Sequence, residues 1–146
     1  MWHPESGTKV ILEDPQGRIL ACQRDNNPAI PFPDLWDFPG GGAEPGETLL
    51  QCGIRELEEE FGLIGVDIVM LDEIPSSETP GKIMGRAYGR LTARQVGSIV
   101  FGSEGQRFGF FTDHEIVELN FVPQLKNYVI AMRRRFNGVE ALEQTA

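Results

Sequence analysis

Three glutamates of a predicted helix, residues 49–61, are spaced so that their carboxylates share one face. At about 100° per residue, Glu56, Glu59 and Glu60 fall within a single arc, whereas Glu58 points to the opposite side. Carboxylates this close repel one another, but a hard divalent cation such as Mg²⁺ removes that penalty, takes oxygen ligands and pairs with substrate phosphates. The spacing favours a metal site for phosphate chemistry, with a solvated acidic face as the alternative.

The sequence around this helix predicts where it begins, where it ends and which face it buries. Thr48 and Gln51 fit a capping box, and Gly62 is a natural C-terminal stop. Gly53 costs about 1 kcal/mol relative to alanine inside a helix, so we expect close packing of the helix on a sheet to compensate. The predicted buried stripe lies beside the acidic arc and consists of Leu50, Gly53, Ile54, Leu57 and Phe61.

A glycine-rich turn precedes the helix. Gly40, Gly41 and Gly42 would let the backbone approach a ligand or a metal closely. Glu47 lies just before the helix and Arg55 lies within it. An ion pair between these two side chains would pin the turn to the helix and orient the carboxylates; an ordinary surface pair is the alternative.

Residues 41–63 closely resemble the signature of the Nudix hydrolase family. That signature is Gly, five residues, Glu, seven residues, Arg-Glu, an aliphatic residue, any residue, Glu-Glu, any residue, Gly and an aliphatic residue. Every fixed position is matched in this chain, by Gly41, Glu47, Arg55, Glu56, Leu57, Glu59, Glu60, Gly62 and Leu63. The segment 36–41 that leads into it, Trp-Asp-Phe-Pro-Gly-Gly, is also typical of the family.

The resemblance implies a role for each matched residue. Glu56, Glu59 and Glu60 would bind Mg²⁺ or Mn²⁺, with the carbonyl of Gly41 as a further ligand, and Glu59 would also count among the catalytic residues. Glu47 and Arg55 would orient this set. Family members often supply one more carboxylate, as a ligand or a general base, from a later loop. Glu104 resembles that position, and its competitors are Glu115 and Asp113.

The resemblance also implies a nucleotide substrate, cleaved at a pyrophosphate bond. We expect a nucleoside triphosphate that yields the monophosphate and pyrophosphate; the alternatives are a nucleotide sugar, a dinucleoside polyphosphate, or a sensor that binds a nucleotide without cleaving it. Arg24 could reach phosphates, and Phe32 or Trp36 could stack on a base, although Arg24 could be solvated and the aromatic rings could belong to the core. Asn120 and Asn127 are candidates for reading the base, but neither falls clearly in register with the asparagine that some relatives use near the last helix.

Composition narrows the class of protein further. The chain has 146 residues and a net charge of −9, which argues against a general nucleic-acid binder, and no apolar run is long enough to cross a membrane. No signal peptide is visible, and Cys22 and Cys52 are too few for a disulfide framework. We therefore expect one cytoplasmic domain over residues 1–146, and a homodimer is possible because family members are often dimers.

The remaining pattern predicts a mixed sheet covered by helices on both faces, an α/β/α sandwich as in the Nudix fold. A closing helix over residues 122–136 would bury Val122, Leu125, Val129 and Met132, with a basic run at 133–135 near its end. The predicted strands are residues 8–12, 18–23, 35–38, 66–71, 83–91, 98–101 and 107–112.

Overall fold

The computed structural model describes residues 6–75 and 80–129, and a seven-stranded mixed sheet lies at its centre. The main path of the sheet is β3-β2-β1-β6-β5, with β4 paired to β1 and β7 paired to β2. Strands β1 and β6 run parallel, and every other pair is antiparallel. The strands are β1 Gly7–Glu13, β2 Ile19–Gln23, β3 Trp36–Asp37, β4 Gly40–Gly42, β5 Ile68–Pro75, β6 Ile83–Arg90 and β7 Arg107–Phe111.

Side chains that alternate along β1 separate two cores on opposite faces of the sheet. Val10 and Leu12 pack with helix α1, Leu49–Phe61, whereas Ile11 packs with the other helical layer. That second layer contains α3, Asp113–Glu118, and α4, whose described part is residues 123–129. Helices thus cover both faces, which confirms the predicted sandwich. None of the helices described is long and apolar enough to span a membrane.

Helix α1 has the predicted boundaries. The Thr48 hydroxyl accepts a hydrogen bond from the Gln51 N–H, and the Gln51 side chain accepts one from the Thr48 N–H. Gly62 ends the helix in the left-handed conformation, with φ of 64°. Gly53 faces the sheet so closely that a Cβ there would lie 3.1 to 3.3 Å from Ile68, Thr8 and Val10, so the expected close packing is confirmed.

The predicted buried stripe of α1 is partly wrong. Leu50 and Ile54 are 38% and 39% exposed, whereas Cys52 is fully buried together with Leu57. The helix lies over β4 as well as β1, and the Cys52 thiol donates a hydrogen bond to the Gly41 carbonyl at 3.3 Å. The buried face of α1 is therefore rotated toward β4 relative to the prediction, and Glu56 and Glu60 lie against the glycine turn.

Residues 98–101 do not form the predicted strand. They follow a short helix that the sequence pattern did not predict, α2, Ala93–Gly97. The Val100 N–H donates to the Phe61 carbonyl at 3.0 Å, and the Gly102 N–H donates to the Glu60 carbonyl at 2.8 Å. These bonds satisfy carbonyls that the last turn of any helix leaves unpaired. The segment is therefore a cap for α1 rather than part of the sheet.

The predicted closing helix begins at residue 123, and its early part packs as expected. Val122, Leu125 and Val129 are all buried. Met132 and the basic run at 133–135 lie outside the described residues. Helix α3, which precedes this segment, is a further addition to the predicted elements, and it begins with a capping box between Thr112 and Glu115.

Candidate active site

The glycine segment 40–42, predicted as a turn, forms the short strand β4 on β1, and it is called the glycine turn here. The Arg55 guanidinium connects this segment to the carboxylates of α1. Its Nε donates to Glu47 at 2.8 Å, and Nη2 donates to the Gly42 carbonyl at 2.8 Å. Its Nη1 donates to Glu56 at 3.1 Å and to Glu59 at 3.0 Å. The hydrogen bond from Arg55 lowers the pKa of Glu47. The Glu47–Arg55 pair exists as expected, and it ties the turn to the helix.

Glu60 is partly buried between α1 and the glycine turn. Its Oε1 accepts a hydrogen bond from the Gly40 N–H at 2.9 Å. Burial raises the pKa of Glu60 to about 8, with repulsion from Glu56 adding to the shift and attraction to Lys9 opposing it. A carboxylate in this position is therefore costly to ionise unless a cation is added beside it.

The donor set fits a hard divalent metal. Within residues 6–75 and 80–129, no three His, Cys, Asp or Glu side chains already surround one point as in an assembled site, and Arg55 holds Glu56 and Glu59 by ion pairs instead. A Cβ at position 41 would lie 2.7 Å from Glu56 Oε1. A side chain at this position would therefore crowd that carboxylate, and glycine leaves room for it against the turn. The enclosed oxygens of Glu56 and Glu60 suit Mg²⁺ or Mn²⁺.

A pocket of about 210 Å³ brings Glu104 to the signature carboxylates. Its loop is anchored at both sides, because Gly102 caps α1 and the Gly105 N–H donates to Asp25 at 3.2 Å. The pocket is lined by Glu56, Glu59, Glu60, Gly102, Ser103 and Glu104. Glu115, by contrast, is engaged in the cap of α3, and Asp113 lies in the first turn of that helix.

A larger cleft of about 380 Å³ extends from the glycine turn between the loop before β3 and the start of α4. Arg24 lines it and is held by hydrogen bonds to the Pro31 carbonyl at 2.9 Å and to Asp37 at 3.0 Å. Phe32, which has a φ of 49°, also lines the cleft. Glu56 and Glu104 line the same cleft, so Arg24, Phe32 and both carboxylates meet in one space.

Two residues predicted to bind substrate lie outside this cleft. Trp36 is 7% exposed and packs edge-on against Phe111 in the core, with ring centroids 5.1 Å apart. Asn127 is exposed on α4 and does not line the cleft. The Gly41 carbonyl, predicted as a metal ligand, accepts the hydrogen bond from Cys52 described above.

Sequence reasoning missed two charged residues of the cleft, Lys9 and Asp37. Asp37 is buried, and its Oδ2 accepts hydrogen bonds from Lys9 Nζ at 2.8 Å and from Arg24 at 3.0 Å. The available signal was a lysine directly before the apolar run Val10, Ile11 and Leu12 of a predicted strand. A buried position for such a cation requires a nearby acid.

Comparison with known proteins agrees with this geometry. An RNA pyrophosphohydrolase of Coxiella burnetii is 40% identical over 67 residues, which cover 46% of this chain and 27% of that protein. An m7GpppN-mRNA hydrolase of Xenopus laevis is 42% identical over 57 residues, which cover 39% of this chain and 19% of that protein. The chain thus matches about a quarter or less of the length of these curated relatives.

The fold is shared over nearly the full chain. A mutT/nudix family protein from Listeria innocua superposes with a TM-score of 0.77 at 19% identity, over 96% of this chain and 99% of that one. The NUDIX domain family itself matches residues 3–135. Both the signature carboxylates and the glycine turn fall inside that match, and the chain belongs to the NUDIX domain family.

Proposed function

We propose that this protein hydrolyses a pyrophosphate bond of a nucleotide with Mg²⁺ or Mn²⁺ as cofactor, converting a nucleoside triphosphate to the monophosphate and pyrophosphate. The observation that carries the proposal is the mixed charge of the residues that line the 380 Å³ cleft. Glu56 and Glu104 line it together with the cations Lys9 and Arg24. A polyphosphate in this cleft can then contact metal-loaded carboxylates and fixed positive charge at the same time.

Each residue has a task in this reaction. Glu56, Glu59 and Glu60 would hold the metal, which when bound neutralises phosphate charge and activates a water. Arg55 keeps Glu56 and Glu59 in place through its ion pairs, and Glu47 anchors Arg55 in turn. Glu104 would accept a proton from the attacking water or complete the metal site. Phe32 offers a ring for a base to stack on.

A second candidate substrate is the 5′ end of an RNA. The similarity to an RNA pyrophosphohydrolase and to an m7GpppN-mRNA hydrolase favours it. The net charge of −9 opposes tight binding of a long RNA, since phosphate contacts require a basic surface. A free nucleotide and an RNA end share the same reacting group, so only a direct comparison separates them.

A substrate screen with Mg²⁺ tests the proposal. It would compare nucleoside triphosphates, nucleotide sugars, dinucleoside polyphosphates and a 5′-triphosphorylated oligoribonucleotide, with the products identified by mass. We expect monophosphate and pyrophosphate from a free triphosphate. Preference for the oligoribonucleotide would favour the second candidate, and nucleotide binding without cleavage of any substrate would indicate a sensor.

Metal dependence is the first expected outcome of that screen. Excess chelator should abolish turnover, because the carboxylates alone would repel a polyphosphate. Ca²⁺ should support activity poorly, since its longer and looser coordination misplaces the attacking water. Restoration by Mg²⁺ is the control, and full turnover in excess chelator would contradict the proposal.

A further inference from the structure

Lys9 occupies a place in the sheet where a cation is costly. It lies on β1, beside β4, and its side chain is only 16% exposed. Burial lowers the pKa of Lys9, but attraction and a hydrogen bond to Asp37, together with attraction to Glu60, outweigh burial and raise the pKa above its ordinary value. Lys9 therefore carries its charge at neutral pH while it lines the cleft.

The charges around Asp37 do not balance. Its Oδ2 is shared by Lys9 at 2.8 Å and Arg24 at 3.0 Å, and its Oδ1 accepts the Phe38 N–H at 2.8 Å. One carboxylate thus holds two cations, and both cations line the cleft. Glu60 also attracts Lys9, but in the proposed function that carboxylate is committed to a metal.

The neighbouring strand provides a contrasting ion pair. Arg86 is the register partner of Lys9 and is also 16% exposed. Asp72 meets it with two hydrogen bonds of 2.7 Å, and the Tyr128 ring covers it at 3.6 Å. Arg86 does not line the cleft. Arg86 is thus held by both oxygens of one carboxylate and covered by a ring, whereas Lys9 and Arg24 share a single oxygen of Asp37 and line the cleft.

We propose that Lys9 acts with Arg24 as a paired phosphate-binding element, and that Asp37 is the positioning residue that holds both cations toward the substrate. The pair would bind a phosphate group of the nucleotide beside the signature carboxylates. This inference rests on the proposed function, since it takes the ligand to be a nucleotide polyphosphate. An ordinary ion pair at this place would need only one of the two cations, Lys9 or Arg24, to neutralise Asp37.

Equilibrium binding tests this without requiring turnover. The probe is a nucleoside triphosphate analogue with a methylene bridge between its α and β phosphates, titrated with Mg²⁺ into the wild type, Lys9→Gln, Lys9→Arg, Arg24→Gln and Arg86→Gln. Loss of a hydrogen bond to a charged group should weaken binding by Lys9→Gln and Arg24→Gln about tenfold or more. Lys9→Arg should retain most of the affinity, and Arg86→Gln should bind as the wild type does.

The unphosphorylated nucleoside separates phosphate binding from damage to the fold. Its affinity should be the same in all variants, and thermal unfolding would report any general loss of structure. Asp37→Asn should weaken binding of the analogue, with less than additive loss when it is combined with Lys9→Gln, because both changes disrupt one arrangement. Equal binding of the analogue by Lys9→Gln, Arg24→Gln and Arg86→Gln would overturn the proposal, as would equal losses for nucleoside and analogue.

These outcomes are separable from the proposed function. A wild type that hydrolyses nucleotides while Lys9→Gln binds the analogue normally leaves the function standing and removes the phosphate-binding element. If the wild type binds the analogue through Lys9 but cleaves no nucleotide, the phosphate-binding element stands and the proposed function is removed. A wild type that fails to bind the analogue at all overturns this inference directly.

Discussion

The adjacent glutamates at the end of α1 differ in what their carboxylates touch. Glu58 is exposed on the outer side of the helix. Glu59 accepts a hydrogen bond from Arg55, and Glu60 accepts one from the Gly40 backbone. Chemically identical side chains in one short run thus have different environments, and their substitution should separate chemistry from surface charge.

Glu59→Gln and Glu60→Gln are each expected to reduce kcat/KM by on the order of 10²-fold or more, the scale of a lost acid–base or ligand group. Glu58→Gln is the matched control, because it removes the same charge from the outer side of the same helix. Turnover of the best substrate from the nucleotide screen is the measurement. Equal losses for Glu58→Gln and Glu59→Gln would mean that the acidic arc is not the reacting face.

Glu104→Gln distinguishes two roles for the loop carboxylate. Turnover of Glu104→Gln, measured across a Mg²⁺ titration, should be lower than that of the wild type in either case. Recovery of turnover at high Mg²⁺ indicates a metal ligand. A loss of about 10²-fold or more that persists at saturating Mg²⁺ indicates a general base. Glu115→Gln is the matched control, because glutamine keeps the capping box of α3. Unchanged activity of Glu104→Gln at every Mg²⁺ concentration would exclude both roles.

At the scale of elements, α1 is held by contacts at its middle, at its C-terminal end and along its inner face. Arg55, in the middle of the helix, attaches the glycine turn, and the segment after α2 caps the last turn. On the inner face, Gly53 allows the helix to approach β1 closely. The positions of the carboxylates therefore depend on how near the helix axis lies to the sheet.

Gly53→Ala should destabilise the protein by about 1 kcal/mol, because overpacking of about 1–3 kcal/mol outweighs the gain of about 1 kcal/mol in helix propensity. The added Cβ would meet Thr8 and Val10, whose branched side chains have little freedom to move. Gly97→Ala is the control, since nothing lies within 4 Å of a Cβ there. Urea unfolding midpoints give the measurement, and a stabilised Gly53→Ala protein would contradict the packing argument.

At the scale of the whole molecule, the candidate site is assembled from four separate parts of the chain. Strand β1 contributes Lys9, the loop before β3 contributes Arg24, α1 contributes the signature carboxylates, and the loop before β7 contributes Glu104. Gln106 links two of these parts directly by donating to the Arg24 carbonyl at 2.8 Å. The stability of the folded chain and the state of the site are consequently coupled.

The stability of the chelated protein should fall as the pH rises from about 5 to about 8, because burial raises the pKa of Glu60 to about 8. In that interval the folded protein keeps a proton on Glu60 that the unfolded chain has released, so unfolding becomes easier with rising pH. Unfolding free energy from urea titrations at several pH values, in excess chelator, is the measurement. Glu60→Gln should flatten this dependence and Glu58→Gln should not; an equal slope in both variants would contradict it.

The sequence by itself determined the features that depend on near neighbours. The capping box, the glycine stop and the separation of Glu58 from the other glutamates all depend on residues within about two helical turns. Helical geometry sets interactions at these distances. The pairing of Glu47 with Arg55 spans eight positions and begins outside the helix, so helical geometry alone does not set it. The carboxylate half of the candidate site was predictable from helical spacing together with the resemblance to the Nudix signature.

Only the tertiary structure decided the features that join distant parts of the chain. The roll of α1 buries Cys52 in place of Leu50, because the helix packs on β4 as well as β1. Residues 98–101 lie outside the sheet, and this segment supplies hydrogen-bond donors to the end of α1 instead. The pairing of Lys9 and Arg24 through Asp37 joins residues up to 28 positions apart, and Trp36 became part of the core. Long-range packing and the pairing of buried polar groups set these outcomes, and neither leaves a periodic pattern in the sequence.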